Sequence, residues 1–231
     1  TCRGLNTRAL SCMIIGCNPQ KKRRQALPGN RRNRDMEIWK ICLTAAAGYL
    51  LGSISVAILV CRGLYGADVR ERGSGNAGAT NVARVFGMNA GVITFAGDLL
   101  KTAAALLLGA WLLGEPGKCI AACACLVGHC WPLFFGFRGG KGVTVSAAVA
   151  LLLDPRLFLI LVAVFFLVFY FVRTVSICSI SAALAYPLAM LLLGDTSLPM
   201  LLTGVFVAVM VCFLHRGNIK RILKGTEPEF K

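Results

Sequence analysis

A chain of 231 residues that is 57% hydrophobic holds more apolar side chain than the about 45–50% usual in a soluble domain, and it gathers the excess into long runs such as 157–172 and 198–214, which suits a lipid bilayer. Its formal net charge of +15 sits in short breaks between those runs, which excludes the basic face of a nucleic-acid binder and points to anionic headgroups or substrates. The 11 cysteines show no Cys-x-x-Cys spacing beside only 2 histidines, so neither a metal site nor a cofactor is expected. Cys42, Cys119, Cys123, Cys125, Cys178 and Cys212 read as small packing residues inside apolar runs.

In chain order, residues 1–35 are compositionally foreign to the rest. Lys21-Lys22-Arg23-Arg24 and Arg31-Arg32 alternate with Pro19, Pro28 and Gly29, and the apolar stretch 9–15 is too short and interrupted for a secretory signal core. A basic disordered extension is expected, with Met36 as the natural start of a membrane-embedded domain at 36–231.

Hydropathy then draws about seven segments, at 41–61, 91–113, 119–136, 143–153, 157–172, 175–194 and 198–214. The fourth is shorter than the ~20 residues a helix needs to cross a ~30 Å hydrocarbon core. It is expected to begin inside the preceding Gly-rich loop or to be shielded by its neighbours. The fold class expected is all-α, a polytopic helical bundle in the membrane. Arg62, Arg70, Arg72, Arg84, Arg138, Lys141, Arg173, Arg216, Lys220, Arg221 and Lys224 fall on one set of connections. The other set has Lys118 and Arg156 beside Glu115, Asp154 and Asp195. The positive-inside rule therefore places the first set and the C-terminus in the cytoplasm and the N-terminus outside. Every polar, glycine-rich stretch falls on that same side, so distant parts of the chain can build one site.

The first such stretch runs Gly73-Ser74-Gly75-Asn76-Ala77-Gly78-Ala79-Thr80-Asn81, with Arg84 following. Small residues let the backbone fold so that its N–H groups cradle an anion, and Ser74, Thr80 and Asn81 offer side-chain donors. A helical stretch over 82–86 would bring a positive dipole end to the same point, and Arg84 can fork onto a phosphate. Ordinary turn chemistry would explain the opening tripeptide alone. It does not explain the whole stretch with its arginine.

The second is Gly128-His129, Pro132 and then Phe137-Arg138-Gly139-Gly140-Lys141-Gly142-Val143. A P-loop needs Ser or Thr after the lysine, and Gly142 stands there. The stretch reads as a second phosphate loop with Lys141 as its point charge. His129 fits a satisfied helix-end histidine as well as a reactive one. Asp98 and Lys101 share one helical face, where mutual pairing and a role in the site wall both stay open. Arg173, Ser176 and Ser179 open a later segment. His215-Arg216-Gly217-Asn218 closes the last one, with His215 and Asn218 on one face; anchoring explains the basic residues there but not these two.

From about Met36 to Glu227 the chain resembles the acyl-phosphate-dependent glycerol-3-phosphate acyltransferases of bacteria, the PlsY family. The resemblance begins at Tyr49-Leu50-Leu51-Gly52-Ser53 and continues through the Gly-Ser-Gly-Asn, Gly-His…Gly-Gly-Lys-Gly-Val and terminal His-Arg-x-Asn-Ile blocks. It implies a seven-span enzyme of the bacterial inner membrane, active on the cytoplasmic side. Such an enzyme joins acyl phosphate to the sn-1 hydroxyl of glycerol-3-phosphate, giving lysophosphatidic acid and phosphate in the first step of phospholipid synthesis, amid membrane lipids. By that likeness Ser74, Arg84, Lys141, His215 and Asn218 are the catalytic set. Gly73, Gly75, Asn76, Gly78, Ala79, Thr80, Asn81, Gly139, Gly140, Gly142 and Ser179 bind substrate, and Asp98, Lys101 and His129 support them. Three departures from the family pattern stand out: Thr102 and Gly217 replace a usual Gly and Glu, and Thr144-Val145 replaces Ala-Thr.

Neither histidine has an Asp five residues on, so the general-base pair of many acyltransferases is missing locally. An acyl phosphate is an activated anhydride, and orientation plus fixed donors can carry the reaction, with the departing phosphate taking the hydroxyl proton. The rival readings are a transporter of phosphorylated solutes, which wants internal repeats and charges near the midplane, and a membrane acyltransferase that uses acyl-CoA.

Overall fold

The computed structural model describes residues 31–194 and 197–228, with side chains from 37 onward. The expected disordered extension, as far as residue 30, lies outside the described residues. The chain divides into two units, 1–39 and 40–231, and the second contains both glycine-rich stretches. Among the described residues every regular element is helical, in agreement with the all-α reading.

The segment expected at 41–61 lies within one candidate span, Glu37–Tyr65, which is broken between helix α1 (Arg31–Gly52) and α2 (Val56–Tyr65). The cause is local. Ser53 turns both its N–H and its hydroxyl back onto the Tyr49 carbonyl, at 2.8 Å each. The helix stops there, and its last carbonyls need a donor at membrane depth. Lys101 supplies it, its Nζ lying 3.1 Å from Gly52 O and 2.9 Å from Ile54 O.

After a 3-10 turn (Val69–Glu71) and the short α3 (Ala79–Phe86), helix α4 runs over Met88–Cys130. It is interrupted at Gly114, whose φ of 64° and ψ of −140° are not helical, so the segments expected at 91–113 and 119–136 are the two arms of α4. Gly109 and Gly117 hold the arms together: a Cβ on either would overlap the other's carbonyl. Small residues set the next seam as well, because a Cβ on Gly52 would run into Cys125 O and one on Gly128 into Tyr49 O. The helical part of the second arm ends at Cys130, and 131–136 forms a loop with a 3-10 turn at Leu133–Phe135, with the candidate span running to Phe135.

Helices α5 (Val143–Leu153), α6 (Pro155–Val172), α7 (Val175–Leu192), α8 (Leu198–Leu214) and α9 (Arg216–Leu223) complete the chain. Pro155 sits at the start of α6, where its missing N–H costs nothing, and Asp154 caps that end by accepting from Arg156 N at 2.8 Å. Four described helical stretches are long and apolar enough to cross a membrane, or five if the pair α8 and α9, bent by 56° at His215, is one span. The sequence reading counts more because it divides α4 at Gly114 and admits α5, which has 11 residues. The core runs from α4 through α5 and α6 to α7 and α8, around Leu126, Val149, Leu157, Tyr186, Met190 and Val211. Outside it, Phe166, Tyr170 and Phe171 of α6 stand 62%, 78% and 74% exposed, a face that suits lipid.

Candidate active site

Asn81 organises the first glycine loop. It is buried, and its Nδ2 donates to Val69 O, Arg72 O and Asn76 O at 3.2, 3.0 and 3.1 Å while its Oδ1 accepts from Ser74 N at 2.9 Å. The sequence reading made Asn81 an anion donor; its amide is spent on the loop instead, and so is the Ser74 N–H. Gly73 and Gly75, with φ of 59° and 70°, make the turns, and a Cβ on Gly73 would overlap Asn81 Oδ1. The loop ends at Gly78, from which α3 leaves, starting earlier than the expected 82–86. The first N–H groups of α3, at Ala79 and Thr80, have no intrahelical acceptor by helix geometry.

Arg70 ties this loop to the second one. Its side chain donates to Phe135 O at 2.6 Å and is paired with Asp68 at 2.8 Å. The Arg70 guanidinium, with a smaller opposing push from burial, holds Asp68 well below the usual carboxylate range. In the second loop Gly139 N and Gly140 N both donate back to the end of α4, to Cys130 O and His129 O at 3.1 Å. Gly142, at φ 78°, caps α5 and turns Lys141 away from it.

Lys141 Nζ donates to Asn218 Oδ1 at 2.6 Å. Asn218 passes the link on, its Nδ2 donating to Glu227 Oε1 at 2.6 Å, and Glu227 also accepts from Ser176 Oγ at 2.6 Å and Arg221 Nε at 2.7 Å. Burial works to raise the Glu227 carboxyl, but those three donors outweigh it and hold the group below its ordinary range. Burial lowers Lys141, Glu227 opposes that shift, and Arg221 and Arg84 add to it. His215 is buried, with Nδ1 2.8 Å from Val211 O. A carbonyl only accepts, so this Nδ1 carries the proton.

These parts enclose a cavity of about 100 Å³. Of the sequence-predicted residues, Ser74, Asn76, Gly78, Ala79, Thr80, Asn81, Arg84, His129, Lys141, Gly142, Ser179, His215 and Asn218 line it. Gly73, Gly75, Gly139 and Gly140 do not; they shape the two loops. Asp98 and Lys101 are also behind the wall, paired at 2.8 Å, so the mutual pairing left open above is present. Ser179 reaches the cavity, though its hydroxyl donates back to Val175 O at 2.8 Å. Arg84 has no hydrogen bond or ion pair among the described residues. Ser176 and Arg221, from the segments singled out around Ser179 and Asn218, also line the cavity, as do Thr144 and Glu227, which were not predicted there. The carboxylates after Lys220, Arg221 and Lys224 are the available signal for Glu227, masked because the tail reads as anchoring. Of the three departures from the family pattern, Thr102 donates back to Asp98 O at 2.6 Å, Thr144 joins the wall, and Gly217 faces open space apart from Arg221.

Beside the polar cavity lies an apolar cleft of about 430 Å³, which shares Ala79, Thr80, Val143, Thr144, Val175 and Ser179 with it and runs between α5, α6, α7 and α8 to Tyr186 and Val211. Arg84, Lys141 and Arg221 against Glu227 leave the polar chamber cationic, and its apolar neighbour suits a hydrocarbon chain. No group of His, Cys, Asp and Glu that could hold a metal ion occurs among the described residues.

A family model described as glycerol-3-phosphate acyltransferase matches residues 42–225. The chain is 38% identical over 198 residues to the glycerol-3-phosphate acyltransferase of Clostridioides difficile (strain 630), covering 83% of this chain and 96% of that one. It is similar to the crystal structure of PlsY (YgiH), an integral membrane glycerol 3-phosphate acyltransferase, in its glycerol 3-phosphate form. The TM-score is 0.77 and the identity 34%, over 83% of this chain and 96% of that one. The lysophosphatidic acid form of the same protein gives 0.75 and 32%, over 83% and 95%.

Proposed function

The chain belongs to the glycerol-3-phosphate acyltransferase family, and from that premise we propose that it transfers a fatty acyl group from acyl phosphate to the sn-1 hydroxyl of glycerol-3-phosphate. The products are lysophosphatidic acid and inorganic phosphate. The observation that carries this reading is the continuity of a small cationic chamber with a larger apolar cleft, sharing Thr80, Val143 and Ser179 at their junction. Such a junction puts a phosphoryl group among donors and a hydrocarbon chain among apolar side chains, with the acyl carbon between.

In this reading the loop 73–81 and Arg84 hold the phosphoryl group of the donor, while Lys141, Ser179, His215 and Asn218 hold glycerol-3-phosphate. The glycerol hydroxyl oxygen attacks the acyl carbon, the bond from that carbon to the phosphate oxygen breaks, and the leaving phosphate takes the hydroxyl proton. The protein supplies position and fixed donors for the developing charge. In this reading the chamber faces the cytoplasm from a bacterial inner membrane, a sidedness that the charge asymmetry of the loops supports. Purified protein in lipid vesicles, given labelled glycerol-3-phosphate and either acyl phosphate or acyl-CoA, tests the proposal. Lysophosphatidic acid forms from acyl phosphate; product from acyl-CoA alone overturns the donor assignment.

A further inference from the structure

Lys101 does more than close the break between α1 and α2. Besides Gly52 O and Ile54 O, its Nζ lies 2.8 Å from Asp98 Oδ1 and 3.1 Å from His129 Nδ1. An ammonium donates protons and has no lone pair to offer. The His129 nitrogen facing it must therefore be the unprotonated one, and the proton of the neutral ring sits on Nε2. Asp98 Oδ1, at 3.6 Å from the same Nδ1, stands farther from it than the ammonium does and past the length of a well-formed hydrogen bond.

The other nitrogen has a defined place. His129 is 4% exposed and lines the polar cavity, and Nε2 has no hydrogen-bond partner among the described residues. A Cβ on Gly140 would overlap Nε2 and would lie 2.9 Å from Ala77 O. This nitrogen thus sits at the seam between the two glycine loops.

We propose that Lys101 is a positioning residue that locks His129 in its Nε2–H form, and that this Nε2–H is a further donor to a phosphoryl oxygen held between the loops. The inference rests on the acyltransferase reading of the cavity. It gives the anion a hydrogen bond from a neutral ring, with no added charge to hinder release of phosphate. His215 takes the opposite form, Nδ1–H on Val211 O, so the two rings present different groups to one chamber.

The chain has 2 histidines, so nitrogen NMR of the full-length protein in lipid, carrying isotope-labelled histidine, reads both. One Nε2–H ring and one Nδ1–H ring are expected, and the Nε2–H signal shifts on adding glycerol-3-phosphate or inorganic phosphate. Lys101→Met turns that ring into a mixture of tautomers. In turnover, glutamine sets its amide nitrogen near the position of Nε2, whereas asparagine sets its amide near Nδ1. His129→Gln should lose about tenfold in kcat/KM and His129→Asn about 100-fold, the scale of one hydrogen bond to a charged group. The reverse order would mean that His129 serves only as an acceptor for Lys101, and would overturn the proposal. So would an Nδ1–H ring at His129, or a signal indifferent to both anions. Wild-type protein that makes no lysophosphatidic acid would sink the functional reading instead, with the tautomer and its response to phosphate still readable.

Discussion

At the residue scale the chamber works by holding cations that protein partners satisfy only in part. Lys141 has Asn218 Oδ1 at 2.6 Å, and Arg84 has no partner among the described residues, so both meet an incoming phosphate with donors to spare. Lys141→Ala and Arg84→Ala should each cut kcat/KM by about 100-fold or more, the usual loss for one charged ligand of the reacting group, at wild-type levels of protein in the membrane. Because burial lowers Lys141, its cation is lost at a lower pH than an ordinary lysine's. The protonated form binds the phosphate, so KM for glycerol-3-phosphate should climb at alkaline pH before free lysine titrates, and Lys141→Arg should abolish that climb. Glu227 has the opposite pH logic. Its folded-state value is depressed, so its stabilisation is complete above the ordinary carboxylate value and lost as pH falls through the folded one. The clasp of Glu227 on Ser176, Asn218 and Arg221 should hold from pH ~6 to 8. Glu227→Gln should loosen it at every pH, raising KM for glycerol-3-phosphate roughly tenfold.

At the element scale, helices that cross on glycine and breaks that present backbone carbonyls position the loops. Gly128 is one such case, since a Cβ there would meet Tyr49 O. Gly128→Ala should lower the thermal midpoint in detergent by the equivalent of about 1–3 kcal/mol. Wild-type stability in that variant would contradict the close seam between α1 and the second arm of α4. Much of this architecture was legible in the sequence. Apolar runs gave the helices, and Gly-Ser-Gly-Asn and Gly-Gly-Lys-Gly gave the loops, because each depends on composition within a few residues. The break at Ser53–Ser55 was not legible, because it is stabilised by Lys101, 47 residues beyond Ile54. The loop-building role of Asn81 was not legible for a related reason: an amide's donors look alike in a sequence whether they face a ligand or backbone carbonyls. Ser176 reaches Glu227 across 51 positions, a link no local pattern announces.

At the scale of the whole molecule, the reading requires a chamber and a cleft that act as one. Ala183 is buried in the cleft wall, away from the polar donors. Ala183→Phe should therefore raise KM for long-chain acyl phosphates while leaving KM for glycerol-3-phosphate within about twofold, because the added ring takes up room in the apolar cleft alone. An equal rise for both substrates would place the acyl chain elsewhere. The central claim is that loops far apart in the chain build one chamber for two phosphoryl groups on one side of the membrane. Ser74→Cys and Lys141→Cys, made singly and treated with an impermeant thiol reagent in vesicles of uniform orientation, test it most directly. Both should label from the same side, above the wild-type background, and glycerol-3-phosphate or inorganic phosphate should protect both. Labelling from opposite sides would leave the loops no chamber to share.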